Sequence, residues 1–230
     1  MDEQLNLTRC SYISWDDLVR KRKDRKLSFL CLNARSFLRK FPELLFHLST
    51  LKNKFTYIII TESWLTPNND YALEIPGYLS KSLYRTGTTG GGIKIYYLEG
   101  IVAKVLEEFT VCNSLYESLV LKTNVPGVGS VTVCGIYRMP NNLVHNFLDR
   151  LTNILDRFST NRTIITGDLN LDIASVPLQS GVLNYTNLML SYGFKYKIDL
   201  PTYVCPSTNT FKSCLDHIWH NLDAECTVMF

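Results

Sequence analysis

Cysteine pairs at metal or redox spacing are missing from this sequence. Its seven cysteines, at positions 10, 31, 112, 134, 205, 214 and 226, include no Cys-x-x-Cys. An odd, scattered set is unlike the framework of a secreted disulfide protein, so a reducing compartment, nuclear or cytoplasmic, is expected. The N-terminus lacks an apolar h-region, which argues against a secretory signal. No uninterrupted apolar run approaches membrane-spanning length, so no membrane partner is expected. Internal repeats, low-complexity tracts and a convincing domain linker are absent. Strong charge is absent too: the formal net charge is +3 and the pI about 8.4. That balance is compatible with a nucleic-acid partner but does not argue for one. The glycine run Gly90-Gly91-Gly92 has no P-loop lysine-serine and no helix behind it. It reads as a hairpin or bulge, not as a phosphate cradle.

What is present is ordinary globular material. The chain has 230 residues, 46% hydrophobic and 20% charged, enough for one large α/β domain or two small ones. Residues 1–26 are polar and end in the basic run from Arg20 to Lys26. Such a run can be a nuclear address or a DNA-backbone contact, and is more simply a solvated segment before the first strand. Leu27 to Leu32 is a short apolar strand. Phe41, Leu44, Leu45, Leu48 and Leu51 then recur at helical spacing. Thr56 to Ile60 is a β-branched strand, completing a β-α-β unit with parallel strands. Residues 66–90 read as loop. Strands over 93–97, 101–109, 116–123 and 130–137 follow at hairpin spacing.

A second helix is expected over 143–158, with Phe147, Leu148, Leu151, Ile154, Leu155 and Phe158 inward and Asn141 or Asn142 as N-cap. A strand at 162–166 comes next, and Gly167 is expected to turn the chain as that strand ends. Asp168 and Asn170, two apart, would share one face of extended backbone. A third helix is expected over 181–192, a loop from Pro201, a strand over 213–219, and one more strand starting near Cys226. A helix–strand passage on either side of an antiparallel block implies two stacked mixed sheets with helices outside.

Several strand ends carry a polar group. They are Asn33, Glu62, Asp168 with Asn170, Asp216, and the phenol of Tyr137. The C-terminal edge of such sheets is where ligands bind. Carboxylates with carboxamides suit a hard cation on oxygen ligands, Mg²⁺ or Mn²⁺ rather than zinc. Cys205, Cys214, His217 and His220 do not fit a common zinc spacing and read as incidental.

These stations resemble the exonuclease–endonuclease–phosphatase superfamily, and within it the apurinic-endonuclease-like domain of non-LTR retrotransposons. The resemblance is carried by Leu32-Asn33-Ala34-Arg35-Ser36, Thr61-Glu62-Ser63-Trp64-Leu65, Gly90-Gly91-Gly92-Ile93, Tyr137-Arg138-Met139-Pro140, Gly167-Asp168-Leu169-Asn170, Pro201-Thr202 and Leu215-Asp216-His217-Ile218, in family order over roughly 27–230. It implies a four-layer α/β sandwich of the DNase I type. Glu62 would be the main metal ligand, with Asn33 beside it. Asp168 would position or deprotonate the attacking water, and Asn170 would hold the scissile phosphate. Tyr137 would contact that phosphate. Asp216 would orient a catalytic histidine. Thr202 and Arg35 would lie along the DNA. The reaction would be hydrolysis of one DNA phosphodiester, leaving a 3′-hydroxyl to prime a reverse transcriptase encoded in the same polyprotein.

The family's Ser-Asp-His motif has no counterpart in the 230 residues, and Tyr203 replaces an arginine common in the retrotransposon branch. The histidines are His47, His145, His217 and His220. His217 follows Asp216 directly and should face the other way on a strand. His220 is expected beyond that strand. The chain reads as cut before its last motif, with weak or absent nicking expected. Two alternatives stay open: a non-catalytic nucleic-acid- or protein-binding descendant, and a phosphoesterase on a small substrate.

Overall fold

A computed structural model describes residues 14–21, 27–87, 90–196, 198, 200–205, 207–208 and 210–222. In chain order the elements are α1 (Trp15–Lys21), β1 (Phe29–Asn33), α2 (Phe37–Ser49), β2 (Tyr57–Thr61), β3 (Tyr78–Leu83), β4 (Ile93–Leu98), β5 (Val102–Val105), β6 (Val111–Cys112), β7 (Tyr116–Val125), β8 (Gly129–Arg138), α3 (Val144–Phe158), β9 (Thr163–Asp168), α4 (Ser180–Ser191), β10 (Lys195–Tyr196), β11 (Tyr203–Cys205), β12 (Thr210–Ser213) and β13 (Asp216–His220).

One sheet runs β1-β2-β4-β3 and the other β10-β13-β9-β8-β7-β5, with β6 also on β7; β11 and β12 form a separate hairpin. Each large sheet contains one parallel pair, β1 with β2 and β8 with β9. The other pairings are antiparallel. The parallel pairs are the two places where a helix carries the chain back, as crossover geometry requires.

Burial assembles these pieces into four layers. Tyr57, Ile59, Ile93 and Ile95 meet Leu119, Leu121, Val131, Val133 and Ile164 between the two sheets. Outside the first sheet, Phe37, Phe41 and Leu44 of α2 cover Ile58, Ile60 and Tyr96. Outside the second, Phe147, Leu151, Ile154 and Leu155 of α3 join Val182, Tyr185 and Met189 of α4 over Val120, Cys134, Ile136 and Ile165. Strands buried on both faces lose simple alternation, which is why β2 and β9 read as continuous β-branched runs. The four-layer sandwich expected from the sequence is the architecture observed.

Several local expectations are corrected. The segment expected to be solvated contains α1. Its Trp15 indole N–H bonds Thr50 Oγ1 at 2.9 Å and its ring lies 4.7 Å from that of His47. An amphipathic turn near α2 docked where composition alone suggested solvent. Residues 22–26 of the basic run lie outside the described residues, as does the strand expected near Cys226. The strand expected over 101–109 stops at Val105, and a 3₁₀ turn at Glu107–Phe109 follows. The loop expected from Pro201 contains β11, and the strand expected over 213–219 divides into β12 and β13. Neither Asn141 nor Asn142 caps α3. Leu143 stands at the N-cap, and Asn142 Nδ2 instead bonds the Ser114 carbonyl at 2.8 Å. His220 lies inside β13 and is buried, not beyond the strand. No helix among the described residues is long and apolar enough to cross a membrane.

Candidate active site

The C-terminal ends of the two parallel pairs meet at one edge of the sandwich. Asn33 ends β1 and is paired with Thr61 at the end of β2. Tyr137 near the end of β8 is paired with Asp168 at the end of β9. Asp216, the first residue of antiparallel β13, lies directly across from Asp168. Register alone therefore gathers these groups. The Asn33 amide closes the gap between the sheets. Its Nδ2 donates to Glu62 Oε1 at 3.1 Å and to Asp168 Oδ2 at 2.6 Å. Below it, Cys31 Sγ and Thr166 Oγ1 are 2.8 Å apart and tie β1 to β9.

The turns at this edge are held in rarely populated backbone. Arg35, Ser36, Glu62, Trp64 and Asn170 all have positive φ, between 41° and 85°. Left-handed backbone costs a non-glycine residue about 1 kcal/mol or more, so the surroundings must hold it. Ser36 and Phe37 N–H groups bond the carbonyls of Glu62 and Ser63 at 3.1 and 3.0 Å. Ser63 and Trp64 N–H groups bond those of Gly92 and Gly91 at 3.1 and 2.8 Å. The glycine run thus holds the Glu62 turn. Gly92 itself has φ 83°, and a Cβ there would lie 2.7 Å from Ser63 Oγ.

The role expected of Gly167 needs correction. It stays within β9, and a Cβ there would sit 2.0 Å from the Ile136 carbonyl oxygen. Glycine is required by the close approach of β8, and the turn falls at Asn170. Asp168 and Asn170 do not share a face of extended strand. Asn170 is left-handed at φ 49°, and its N–H bonds Asp168 Oδ1 at 3.0 Å in an Asx turn. Asn170 Nδ2 bonds the Arg138 carbonyl at 2.7 Å.

Arg138 was missed by the sequence reading. It is buried, and its guanidinium donates to the carbonyls of Leu169, Asn170 and Asn142. It binds the Asp168–Asn170 corner to β8 and to the start of α3. Thr202, expected to face DNA, accepts the N–H groups of Leu215 and Asp216 at 3.1 and 3.0 Å. In this position it anchors the start of β13. Arg35 is exposed at the lip, and its N–H bonds Asn33 Oδ1 at 3.2 Å.

The electrostatics follow from the crowding. Asp168 is 5% exposed, and among the described residues no cation bridges Glu62, Asp168 or Asp216. Burial, then the Asp216 charge, raises the Asp168 pKa; hydrogen bonds from Asn170 and Asn33 offset part of this. Burial also raises Asp216, opposed by its bond with Thr202. Burial and the Glu62 carboxylate push the Tyr137 phenol up, so it stays protonated as a donor.

Among the described residues no group of three or more His, Cys, Asp or Glu is placed to hold a metal ion. The fit to a hard cation rests on two carboxylates, Glu62 and Asp168, converging on the single Asn33 nitrogen, with no salt bridge to either among the described residues. Such a set of oxygens suits Mg²⁺ or Mn²⁺ with water completing the shell.

No family model matches this chain, and no curated protein matches it significantly. Solved structures do. The endonuclease domain of TRAS1, a telomere-specific non-LTR retrotransposon, aligns over 86% of this chain and 85% of its own, at 14% identity and TM-score 0.66. An AP endonuclease from Archaeoglobus fulgidus aligns over 85% and 86%, at 16% identity and TM-score 0.61. TDP2 from D. rerio, solved with a single-strand DNA product, aligns over 84% and 83%, at 16% identity and TM-score 0.60. This chain has the endonuclease/exonuclease/phosphatase fold.

Within that fold the histidines fall away from the acids. His217 points to the opposite face from Asp216, as strand parity requires. Its ring bonds Tyr185 Oη at 3.0 Å and the carbonyls of Leu171 and Cys214 at 2.9 and 3.1 Å. Burial pushes its pKa down to about 4. His220 shares the Asp216 face but lies four residues along the strand, about 13 Å away. Glu117 and Arg85 at the edge also carried no expected role. Glu117, fully buried on β7, accepts from Arg85 Nε and from the Gly92 N–H, both at 2.6 Å. Glu117 is paired with Tyr137 across β7–β8. The signal was available, since a lone acid in an apolar strand needs a partner.

Proposed function

We propose that this domain is a divalent-metal-dependent DNA endonuclease from a non-LTR retroelement, part of an intracellular polyprotein that includes a reverse transcriptase. The observation that carries it is the Asn33 amide shared between Glu62 and Asp168, at 3.1 and 2.6 Å. It brings an exposed-side acid and a buried acid together at the ligand-binding edge of an endonuclease/exonuclease/phosphatase fold. The retroelement reading is supported by the ordered motifs and by the likeness to the TRAS1 domain.

Glu62 and Asn33 would hold the metal, which when bound supplies a positive charge against a phosphoryl oxygen. Asp168, with its proton affinity raised by burial and by Asp216, accepts the proton of the attacking water. Asn170 spends one N–H on the Arg138 carbonyl and keeps the other for a non-bridging phosphate oxygen. The protonated Tyr137 phenol donates toward the charge that develops beside Glu62. Water oxygen bonds to phosphorus as the bond to the 3′ oxygen breaks, the leaving 3′ oxygen takes a proton from solvent, and the 3′-hydroxyl remains as a primer end opposite a 5′-phosphate. Thr202 holds Asp216 at its post, and Arg35 at the lip contacts a flanking phosphate.

A second reading, DNA binding with little cleavage, is favoured by one observation: neither His217 nor His220 is placed to work with Asp216. Supercoiled-plasmid nicking in Mg²⁺, compared with the Asp168→Ala variant and with EDTA, decides between them. Metal-dependent nicks in the parent alone support the enzyme. Equal nicking by parent and variant would sink the assigned chemistry. DNA binding without nicks would favour the second reading, and release of phosphate only from small phosphoesters would replace both.

A further inference from the structure

Trp64 is the bulkiest of the residues held in left-handed backbone at the site, with φ 55°. Its side chain is 44% exposed, yet its indole N–H donates to Glu62 Oε2 at 3.3 Å. A single exposed aromatic is ordinary. One fixed by a backbone bond to Gly91 and by a bond to a candidate metal ligand is not free to fold away. Its open face is therefore preorganised.

Arg85 approaches the same space. A Cβ built on Gly90 would lie 3.7 Å from Trp64 Nε1 and 3.9 Å from Arg85 Nη1, so both side chains border the room that glycine leaves. The Arg85 guanidinium is fixed by Nε on Glu117 at 2.6 Å and lies over the Tyr137 ring, with Cζ 5.7 Å from the ring centroid. Among the described residues its Nη2 is buried without an acceptor. A buried donor of a charged group without a partner is costly, and phosphate oxygens are its natural complement.

We infer that Trp64 and Arg85 form a nucleotide-binding ledge beside the acids, the indole stacking on a base and the guanidinium edge taking a backbone phosphate next to the scissile one. This rests on the endonuclease reading and adds a substrate contact to it. Stacking on a fixed aromatic is tolerant of base identity, so the ledge contributes affinity and register more than sequence choice. Trp64 also positions Glu62 through its N–H, which links occupancy of the ledge to the metal ligand.

The test uses the full chain and a fluorescein-labelled DNA oligonucleotide in EDTA, so that binding is read by anisotropy without cleavage. Trp64→Ala is expected to weaken binding about tenfold or more, and Trp64→Phe, which keeps a π-face, by only a fewfold. Arg85→Gln is expected to lower the slope of log affinity against log salt by about one, the loss of a phosphate contact. Intrinsic fluorescence of the parent should be quenched by an unlabelled oligonucleotide, and Trp64→Ala should lose that quenching. The remaining tryptophans make this readable, since Trp219 is fully buried and Trp15 lies by α2. A folded Trp64→Ala variant that binds like the parent overturns the ledge and leaves the endonuclease reading standing. An unchanged salt slope in Arg85→Gln overturns the phosphate contact. A parent that binds no DNA overturns both readings.

Discussion

The two parallel strand pairs do the same thing topologically and differ in what they do with their ends. The β1–β2 pair ends in a turn open to solvent, where Glu62 is half-buried and Trp64 exposed. The β8–β9 pair ends in a closed corner, where Asp168 is 5% exposed and Arg138 grips the carbonyls around it. Equivalent positions thus become different chemistry. An acid at the open end can be reached by a cation from solvent. An acid at the closed end, facing Asp216, gains proton affinity and suits the handling of a water's proton. Burial, not residue type, is what separates Glu62 from Asp168.

The largest test of that division is Asp168→Asn. Removing the proton acceptor is expected to lower nicking by about a thousandfold. The same change should raise thermal stability in EDTA at pH 8, by about 2–4 °C, because it relieves a buried like-charge pair. Activity assays and melting curves on one preparation check both signs. A loss of activity with a lower melting temperature would mean that Asp168 is structural and the comparison false.

Gly167→Ala attacks the closed end through the backbone. The new Cβ would meet the Ile136 carbonyl, and β8 and β9 cannot both keep their places. We expect a loss of about 3 kcal/mol or more in denaturant unfolding, well beyond an ordinary surface change. Arg138→Lys is gentler. A lysine cannot reach the three carbonyls as a fork does, and about 2 kcal/mol should be lost. Because the open end is untouched, the Mg²⁺ requirement should stay as it is while kcat falls. Titrating Mg²⁺ in the nicking assay separates the two.

The smallest effect is in pH. Asp168 and Asp216 titrate above the ordinary carboxylate range. The folded state therefore holds protons that the unfolded state releases, and metal-free stability falls as pH rises from about 4 through the raised values. His217 has the opposite sign. With its pKa down at about 4, it stays neutral in the fold, and stability is lost as pH falls from about 6.5 towards that value. Melting in EDTA across pH should show both slopes, each about 1 kcal/mol per pH unit. Mg²⁺ should flatten the alkaline one alone, because only that slope comes from acids a cation can compensate.

Much of this was legible in the chain. The β-branched runs at Tyr57–Thr61 and Thr163–Asp168 and the apolar stripe from Phe147 to Phe158 announce elements whose periods are local. The strand-end residues Asn33, Glu62 and Asp168 could be named because strand ends are marked by where those runs stop, and Asp216 as an acid on the strand expected over 213–219. Less was legible where partners are distant. Arg138, in the Tyr137–Pro140 motif, and Glu117, inside an apolar strand, had no legible role, because the carbonyls of Leu169 and Asn170 and the Arg85 side chain that satisfy them are distant in sequence. The docking of Trp15 near α2 had no periodic signal, because a seven-residue helix is too short to show one.

The sequence by itself determined the two helix–strand crossovers with an antiparallel block between them, the alternation that points His217 away from Asp216, and the oxygen-rich character of the site. Those are consequences of side-chain type and of periods of two and 3.6 residues. Only the tertiary structure decided that Asn33 meets Asp168 across 135 residues of chain, that Gly167 is needed for a neighbour's carbonyl, and that one acid is open and the other closed. Hydrogen bonds between sheets and the desolvation that moves a pKa depend on what folds over a group, and that is a property of the packed whole.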